Sequence, residues 1–434
     1  MKTRLDVFRV IGNELVHVGV IERAQRGGDE SFSYADSYLE RGNVAPLSLS
    51  LPLTSKKYSA REARPYFAGL LPEGPTREAL VNSLGIPNDD YLAILEAVGL
   101  ECIGDVVVRP AQENSNLPSV PWDTGTYESL NKASLRETLS TLSSLSKSNE
   151  QSRLSLAGTQ GKVGLAHIPG ADMGDGWLRP LSGAASTHIL KTSNFSRIAD
   201  FEIICMGAAA VCGIRSARVD VLSLGGTVAC VERFDRAVDV QGSDLRVERL
   251  HQEDLAQAFG MTSGAKYAEL EGGSYAAIAR LLETRSTAPL EDVDQLARIA
   301  VLNYLVGNCD NHLKNLSITH SGSTIRLAPA YDLVCTTFFE RFSREMGMRI
   351  GSTRMIDDVT PPDFALLAKD LGIGVKRMQS ICSDLVDALP AALSGVGEKD
   401  SSINDSLPYS ADNIIEDMHP RIGVARSFVQ GVFR

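Results

Sequence analysis

Apolar residues recur along the chain with two different periods, and the change between them predicts how the chain is organised. From Leu5 to Ile11 apolar and polar residues alternate, which is typical of a strand with one buried face. The run 46–53 alternates leucine with serine, so we predict one buried face and one face of hydroxyl groups. A helix is predicted near Arg77–Leu84, and the triplet Val106–Val108 predicts a buried strand that closes this first part.

A polar, proline-containing linker at 111–125 separates the first part from a second, in which strand and helix patterns mix. The serine-rich stretch 128–148 predicts a helix, and His188–Lys191 predicts a short strand with a lysine at its end. Residues 199–212 predict an apolar helix that ends at Gly213. Val228–Val231 predicts another buried strand.

Beyond Leu250 the helical period dominates. It predicts helices at 252–259, 274–284, 289–306 and 361–393. Two short strands are predicted around Ser321–Ser323, and 396–412 is predicted to be an exposed loop before a final short helix. The pattern therefore predicts an α+β protein with a β-rich part at 1–110, a mixed α/β small lobe at 126–247 and a mainly helical lobe at 248–434.

Composition and charge narrow the classes of function. The 434 residues exceed one compact core, and 43% hydrophobic and 22% charged residues are ordinary for a globular protein. The formal net charge of −11 argues against sequence-independent nucleic-acid binding, which depends on basic surface, but leaves open a local basic patch or a DNA-binding partner. Seven cysteines without a CxxC pair indicate reduced, buried thiols rather than a disulfide frame or a zinc site.

The apolar segments also bear on the compartment. No uncharged apolar stretch approaches the roughly 20 residues that a membrane span needs. Near the N-terminus, Asp6 interrupts any signal-peptide core. We therefore expect a cytoplasmic protein.

The sharpest candidate for chemistry is the loop Gly307–Asn315 together with Asp332. An aspartate, an asparagine five residues later, a hairpin and a second aspartate is how protein kinases arrange their catalytic residues. In that arrangement Asp310 accepts the proton of the attacking hydroxyl, while Asn315 and Asp332 hold Mg²⁺ through their oxygens. The predicted hairpin would bring Asp332 back beside Asn315. The alternative is that these are polar loop residues that cap helix ends.

Lys191 is the candidate for the lysine that kinases carry on a small-lobe strand, where it neutralises nucleotide phosphates. Glu202, in the helix that follows, is its natural carboxylate partner, while the neighbouring Asp200 is a candidate N-cap. The alternative for Lys191 is a solvated side chain at a strand end.

Three further features each have two interpretations. The segment 155–162 is rich in hydroxyls and ends in Lys162, as a phosphate-binding loop would. It matches neither GxGxxG nor GxxxxGK[ST], and on the pattern alone a plain turn between strands is favoured. Val231–Phe234 is either a connection that binds an adenine edge or a strand end followed by charges. His312 is either structural or a contact to phosphate or to the catalytic aspartate. The sequence lacks HExxH and GxSxG, which disfavours zinc and serine hydrolases.

Taken in order, these motifs resemble those of the HipA toxins, the serine/threonine kinases of HipBA-type bacterial toxin–antitoxin modules. The resemblance covers essentially the whole chain and implies a two-lobed, protein-kinase-like α+β fold. The matching segments are Pro46–Leu53, Leu70–Gly74, Ser155–Lys162, His188–Lys191, Val231–Arg236, His251–Asp254, Gly307–Asn315 and Tyr331–Asp332.

The resemblance implies ATP and Mg²⁺ as cofactors and a role for each matching residue. Asp310 would be the catalytic base, assisted by Lys191, and Asn315 and Asp332 would bind the metal. Ser155 corresponds to the serine that family members autophosphorylate, a change that ejects the phosphate loop. The implied nucleotide-binding residues are Ser155, Ala157, Gly158, Lys162, Lys191, Glu232, Phe234, His312 and Asn315.

The resemblance also implies partners. A HipB-like helix-turn-helix antitoxin would bind this chain, so that any contact with DNA would be indirect. The protein substrate would be an aminoacyl-tRNA synthetase, glutamyl-tRNA synthetase in the best-known case, whose phosphorylation halts growth and promotes persistence. Gly161 replaces the acidic residue of the family's loop, which alters loop stiffness and removes no expected ligand. A small-molecule kinase and a catalytically silent, antitoxin-binding regulator are the alternatives.

Overall fold

The alternating N-terminal residues form the first of two large antiparallel sheets. The computed structural model describes residues 3–24, 30–111, 120–121, 126–146, 160–193, 197–241, 244–396 and 406–432. This sheet has the strand order β4-β3-β2-β1-β5, with β6 beside β2, and apolar side chains such as Val7 and Phe32 bury its inner face. Its elements are β1 (Thr3–Ile11), β2 (Glu14–Arg23), β3 (Glu30–Tyr34), α1 (Asp36–Leu39), β4 (Tyr58–Ser59), α2 (Ala60–Gly69), α3 (Gly74–Leu84), α4 (Tyr91–Val98), β5 (Val106–Pro110) and β6 (Val120–Pro121).

The leucine–serine run at 46–53 differs from the prediction. It forms no strand, only an isolated bridge between Ser48 and Leu51. Leu51 is buried as expected, but Ser48 is fully buried too, and Leu53 is exposed. The Ser48 hydroxyl donates to the carboxylate of Glu253. A serine that is buried against a distant partner and a serine that faces water give the same leucine–serine alternation in the sequence. The pattern therefore predicted the wrong environment for Ser48.

The second sheet carries the lysine singled out above. Its strand order is β11-β12-β10-β8-β9-β7. Within it, β10 lies between β8 and β12, and the register places Lys191 opposite Lys162. Helix α6 packs against this sheet and ends before Gly213, whose φ is +75°. The elements are β7 (Thr126–Ser129), α5 (Lys132–Ser146), β8 (Gln160–His167), β9 (Trp177–Leu181), β10 (His188–Ser193), α6 (Ile198–Val211), β11 (Val219–Ser223) and β12 (Thr227–Glu232).

A hairpin leads from the second sheet into a part in which helices bury the largest apolar cluster of the chain. The hairpin is β13 (Arg236–Gln241) and β14 (Asp244–Arg249). The elements that follow are β15 (Gln252–Asp254), α7 (Leu255–Ala258), α8 (Ser274–Arg285), α9 (Pro289–Val306), β16 (Ser317–Ser321), β17 (Thr324–Leu327), β18 (Glu345–Ile350), β19 (Thr353–Met355), α10 (Pro361–Asp370), α11 (Val375–Gly395) and α12 (Ser406–Val429).

Most predicted elements are confirmed, with differences at four places besides the run 46–53. The stretch 128–148 begins with strand β7 before helix α5, and 252–259 begins with strand β15 before the short helix α7. The span 361–393 is two helices, because Gly372 has a φ of +67° between them. The final helix runs for 24 residues and begins at Ser406, inside the predicted loop.

Buried charges join the first sheet to the helical part. Asp105 bonds to the guanidinium of Arg9, with Nη2–Oδ2 at 2.8 Å, and to the Nδ1 atom of His251 at 2.9 Å. The ring of His251 also bonds to the carbonyl of Pro46. Because all of these groups are shielded from water, their pairing fixes how the first sheet docks.

The architecture is a two-lobed α+β fold. The strands of the second sheet make up most of the smaller lobe, and α8 to α12 make up most of the larger one. All seven cysteines are free thiols, and all but Cys212 are buried. In the residues that the structure describes, none of the helices has the length and apolar character to cross a membrane.

Candidate active site

The loop after helix α9 is held in one conformation by its own asparagines. The helix ends at Gly307, which has a φ of +75°. Asp310 follows, and its backbone N–H donates to Asn308 Oδ1 at 3.1 Å. Its carbonyl accepts a hydrogen bond from Asn315 Nδ2 at 2.9 Å. The asparagine that was predicted to bind metal therefore also fixes the position of the predicted base.

The hairpin of β16 and β17 returns the chain to this loop, as predicted. Asp332 lies just beyond it with a φ of +58°, a conformation that costs a non-glycine residue on the order of 1 kcal/mol and that is enriched at functional sites. Its carbonyl accepts from Asn308 Nδ2 at 3.4 Å. The strained backbone thus directs the Asp332 carboxylate towards the second sheet.

Lys191 is where the two lobes meet. Its ammonium forms an ion pair with Glu202 of helix α6 and another with Asp332 Oδ1 at 2.7 Å. Lys162 on the neighbouring strand lies 3.8 Å from Asp332 Oδ2. Burial alone would raise the pKa of Asp332, but the charges of Lys162 and Lys191 lower it below its ordinary value. The predicted Lys191–Glu202 pair is confirmed, and Asp332 is ionised beside it.

The two oxygens of the Asp310 carboxylate differ in their hydrogen bonding. Oδ1 accepts a hydrogen bond from the hydroxyl of Tyr267 at 2.5 Å. Oδ2 is buried and has no hydrogen-bond partner among the described residues. Burial raises the pKa of Asp310 to about 6, and Tyr267 opposes that shift. A carboxylate of this kind is more basic than an ordinary aspartate and still ionised near neutral pH.

His312 lies in the same loop and contacts Tyr267, the residue that donates to this carboxylate. Its ring packs edge-on against the ring of Tyr267, with centroids 4.9 Å apart. Burial lowers the pKa of His312 to about 3, so the imidazole is neutral. Neither ring nitrogen has a hydrogen-bond partner among the described residues. His312 is therefore available to a polar group that enters the site.

These residues surround one cavity of about 310 Å³ between the lobes. Ile189, Ala217 and Val231 give it an apolar wall. The rings of Phe234 and Tyr331 stack beside that wall, with centroids 5.6 Å apart. Predicted residues that line the cavity are Lys162, Lys191, Glu232, Phe234, His312, Asn315 and Asp332.

Two groups of predicted residues lie elsewhere. Asp310 is not among the residues that line the cavity, and it touches the site through Asn315. Ser155, Ala157 and Gly158 lie outside the described residues.

Glu73, which precedes helix α3 and lines the cavity, belongs to no catalytic motif of the sequence. Glu73 accepts from Lys266 Nζ at 2.9 Å and pairs with Lys314 Nζ at 3.2 Å. Burial opposes its ionisation, yet these two lysines lower the pKa of Glu73 to about 2. Its place within the matching segment Leu70–Gly74 was the one signal available, because nothing local indicates which distant lysines it meets.

The cavity suits a triphosphate with its metal. An apolar wall with stacked rings suits a flat base, and Lys162 and Lys191 suit phosphate oxygens. Asn315 and Asp332 offer oxygen ligands at the same place. No cluster of three or more histidine, cysteine or acidic side chains suited to a metal occurs in the described part of the chain. Mg²⁺ fits such a site, because it takes one or two protein ligands and completes its shell with phosphate oxygens and water.

Comparisons with known proteins agree along the whole chain. Residues 10–109 match the family model described as HipA N-terminal domain, and residues 154–393 match the HipA-like C-terminal domain. A Sinorhizobium fredii protein, "Putative kinase Y4mE", is 35% identical over 384 residues, which cover 87% of this chain and 89% of that protein. The serine/threonine-protein kinase toxin HipA of Shewanella oneidensis is 28% identical over 363 residues, 81% of each chain.

A solved structure has the same fold. It is the Shewanella oneidensis toxin–antitoxin complex of HipA, HipB and operator DNA, and it superposes with a TM-score of 0.84 at 24% sequence identity. The match covers 99% of both chains. At this identity the likeness concerns the fold, and it extends from the first sheet to the last helix.

Proposed function

The chain belongs to the HipA family, and on that premise we propose that it is an ATP- and Mg²⁺-dependent serine/threonine protein kinase, the toxin of a toxin–antitoxin module. One observation supports the proposal above all. Lys191 and the two oxygen ligands Asn315 and Asp332 meet at one cavity, and the same Asn315 positions Asp310. Phosphoryl transfer depends mainly on such positioning of charge.

Each residue has a defined task in this proposal. Lys162 and Lys191 hold phosphate oxygens, and Asn315 and Asp332 hold Mg²⁺, which when bound neutralises charge on the transferred group. Asp310 takes the proton of the substrate hydroxyl as the new O–P bond forms and the bond between the γ-phosphorus and ADP breaks. With a pKa of about 6, the Asp310 carboxylate is ionised at neutral pH and still basic enough to accept that proton.

The partners and targets belong to the same proposal. A HipB-like antitoxin binds the chain and carries the contact with DNA, in line with the acidic net charge of −11. The substrate is a translation protein of the aminoacyl-tRNA synthetase class, and the kinase acts in the cytoplasm. Autophosphorylation at Ser155 then inactivates it, since a phosphoserine adds roughly −2 charge where ATP phosphates bind.

The experiment compares the wild-type chain with Asp310→Asn in a bacterial host. We expect the wild type to label itself or a lysate protein from γ-labelled ATP with Mg²⁺, and to arrest growth. Asp310→Asn should label protein at least about 100-fold more slowly, because a general base usually contributes that much to the rate, and it should no longer arrest growth. Asp89→Asn is the matched control, because that carboxylate is exposed and outside the cavity.

Quantitative phosphoproteomics on the same strains identifies the substrate. We expect one translation protein and Ser155 to carry phosphate only when Asp310 is intact. Label on a small molecule and on no protein would favour a small-molecule kinase. Equal growth arrest by the wild type and by Asp310→Asn would instead show that the chain acts without catalysis.

A further inference from the structure

We propose that Tyr267 is a positioning residue for the catalytic base, a role that rests on the proposed kinase function. Tyr267 follows a short 3-10 turn at Ser263–Ala265, and no motif of the sequence includes it. Its hydroxyl donates to Asp310 Oδ1 at 2.5 Å, a charge-assisted hydrogen bond. A carboxylate held at one oxygen has lost its freedom to rotate, so its second oxygen has a fixed direction.

The second oxygen of Asp310 is the one left for chemistry. Oδ2 is shielded from solvent and has no hydrogen-bond partner among the described residues. A buried carboxylate oxygen without a donor is costly, and the hydroxyl of a bound substrate would be its first donor. The two oxygens therefore have different roles. Tyr267 holds Oδ1 in position, and Oδ2 accepts the proton.

Tyr267 is itself held firmly, as a positioning residue must be. Its carbonyl accepts a hydrogen bond from Arg354 Nη2 at 2.9 Å, and Arg354 also donates to the carbonyl of Met346 at 3.1 Å. The residue before it, Lys266, accepts through its carbonyl from the N–H of Leu313 at 3.4 Å. Tyr267 is thus tied both to strand β18 and to the catalytic loop.

Strand β18 reaches the catalytic loop because residue 347 is glycine. Its N–H donates to the carbonyl of Cys309 at 2.8 Å. A Cβ atom at Gly347 would lie 2.5 Å from the carbonyl oxygen of Asn311. The close approach therefore fixes strand β18, and with it Arg354 and Tyr267, relative to Asp310.

The geometry also separates this role from nucleotide binding. Tyr267 is not among the residues that line the cavity, whereas Lys191, Asn315 and Asp332 are. Removing its hydroxyl should leave the affinity for nucleotide intact and slow the transfer step. Loss of a residue that only stabilised the fold would not slow the transfer step while leaving nucleotide affinity unchanged.

The test uses Tyr267→Phe in the full chain, with initial rates of label transfer from γ-labelled ATP at varied ATP concentration. We expect kcat to fall about tenfold or more, with the KM for ATP and the Kd of Mg-ADP each within about twofold of wild type. The control is Tyr66→Phe, which removes a buried hydroxyl that has no hydrogen-bond partner in the described residues. That control should behave as wild type.

A double variant tests whether Tyr267 acts through Asp310. If it does, Tyr267→Phe combined with Asp310→Asn should be no slower than Asp310→Asn alone, because the base that Tyr267 positions is already absent. Unchanged or faster transfer by Tyr267→Phe, or a weakened Kd for Mg-ADP, would overturn the proposal. An inactive wild type would instead contradict the kinase function itself, so the two failures are distinguishable.

Discussion

Lys191 is shared by two carboxylates, and that sharing explains why one buried ammonium is stable between the lobes. Alone, a buried lysine would lose its charge, but Asp332 and Glu202 raise its pKa above the ordinary value despite burial. The ion pairs therefore keep a positive charge at this position between the lobes.

A substitution of Lys191 should reveal this balance in stability as well as in activity. Lys191→Met removes the ion pair with fully buried Glu202 and should lower the free energy of unfolding by about 3 kcal/mol. Adding Glu202→Gln removes the matching negative charge, so the double variant should be more stable than Lys191→Met alone. Guanidinium unfolding followed by fluorescence measures both. A double variant that is less stable than the single one would contradict the argument.

At the level of single residues, the sequence predicted the part of the site that is local in the chain. The spacing of Asp310, Asn315 and Asp332 lies within one loop and one hairpin, so a pattern contains it. Glu73 and Tyr267 come from segments distant in sequence, and only the tertiary fold brings them to that loop. Their roles therefore lay beyond the reach of spacing arguments.

At the level of elements, helices α6 and α9 are each followed closely by a glycine of positive φ, and the surroundings of the two glycines differ. Gly213 and Gly307 both have a φ of +75°. An added Cβ at Gly213 would meet nothing within 4 Å, whereas at Gly307 it would overlap the Thr337 hydroxyl and lie 2.8 Å from Arg421 Nη2. Gly213 is therefore needed only for the backbone conformation at the end of its helix. Gly307 is needed for the same reason and also leaves room for Thr337 and Arg421.

Alanine substitutions should separate these two contributions. Gly213→Ala should cost about 1 kcal/mol, the penalty of a left-handed alanine. Gly307→Ala should cost at least about 3 kcal/mol, because Thr337 and Arg421 must also move. Thermal and guanidinium unfolding of the two variants give the difference directly. Equal costs would show that packing at Gly307 adds nothing.

The last helix shows why element lengths were harder to predict than element types. Helix α12 contains Pro420, and such a residue normally ends a helical pattern. In the fold α12 packs against α6, α9, α10 and α11 along its length, and that packing outweighs the local penalty. Periodicity, by contrast, predicted the mixed α/β and mainly helical parts, whereas the kinase-like fold was implied by the resemblance. The boundaries at 1–110, 126–247 and 248–434 stay predictions.

At the level of the whole molecule, buried histidines make stability depend on pH. Burial lowers the pKa of His188 and of His251 to about 4 and that of His312 to about 3. In the unfolded chain each titrates near 6.5. Between the folded and unfolded pKa values, these histidines bind protons in the unfolded state but not in the folded state. The free energy of unfolding must therefore fall as the pH falls.

We expect each of these histidines to contribute a slope of up to about 1.4 kcal/mol per pH unit between about pH 6.5 and pH 4. Asp310, with its raised pKa of about 6, offsets the slope of one of them. Guanidinium unfolding at a series of pH values measures the net effect. His188→Gln should flatten the curve by one histidine, and a stability that is constant over this range would contradict the prediction.

Helix α12 also supports the loop that contains Asp310, and it is made late in synthesis. Arg421 donates to the carbonyl of Leu305, and Asp417 accepts from Thr337, so this helix braces the segment that leads to Asp310. During synthesis, helix α12 is added to the chain after all of the residues that line the cavity. A nascent or prematurely terminated chain thus contains each residue that lines the cavity without the support that aligns Asp310. We expect synthesis itself to delay the alignment of Asp310 until helix α12 has been made.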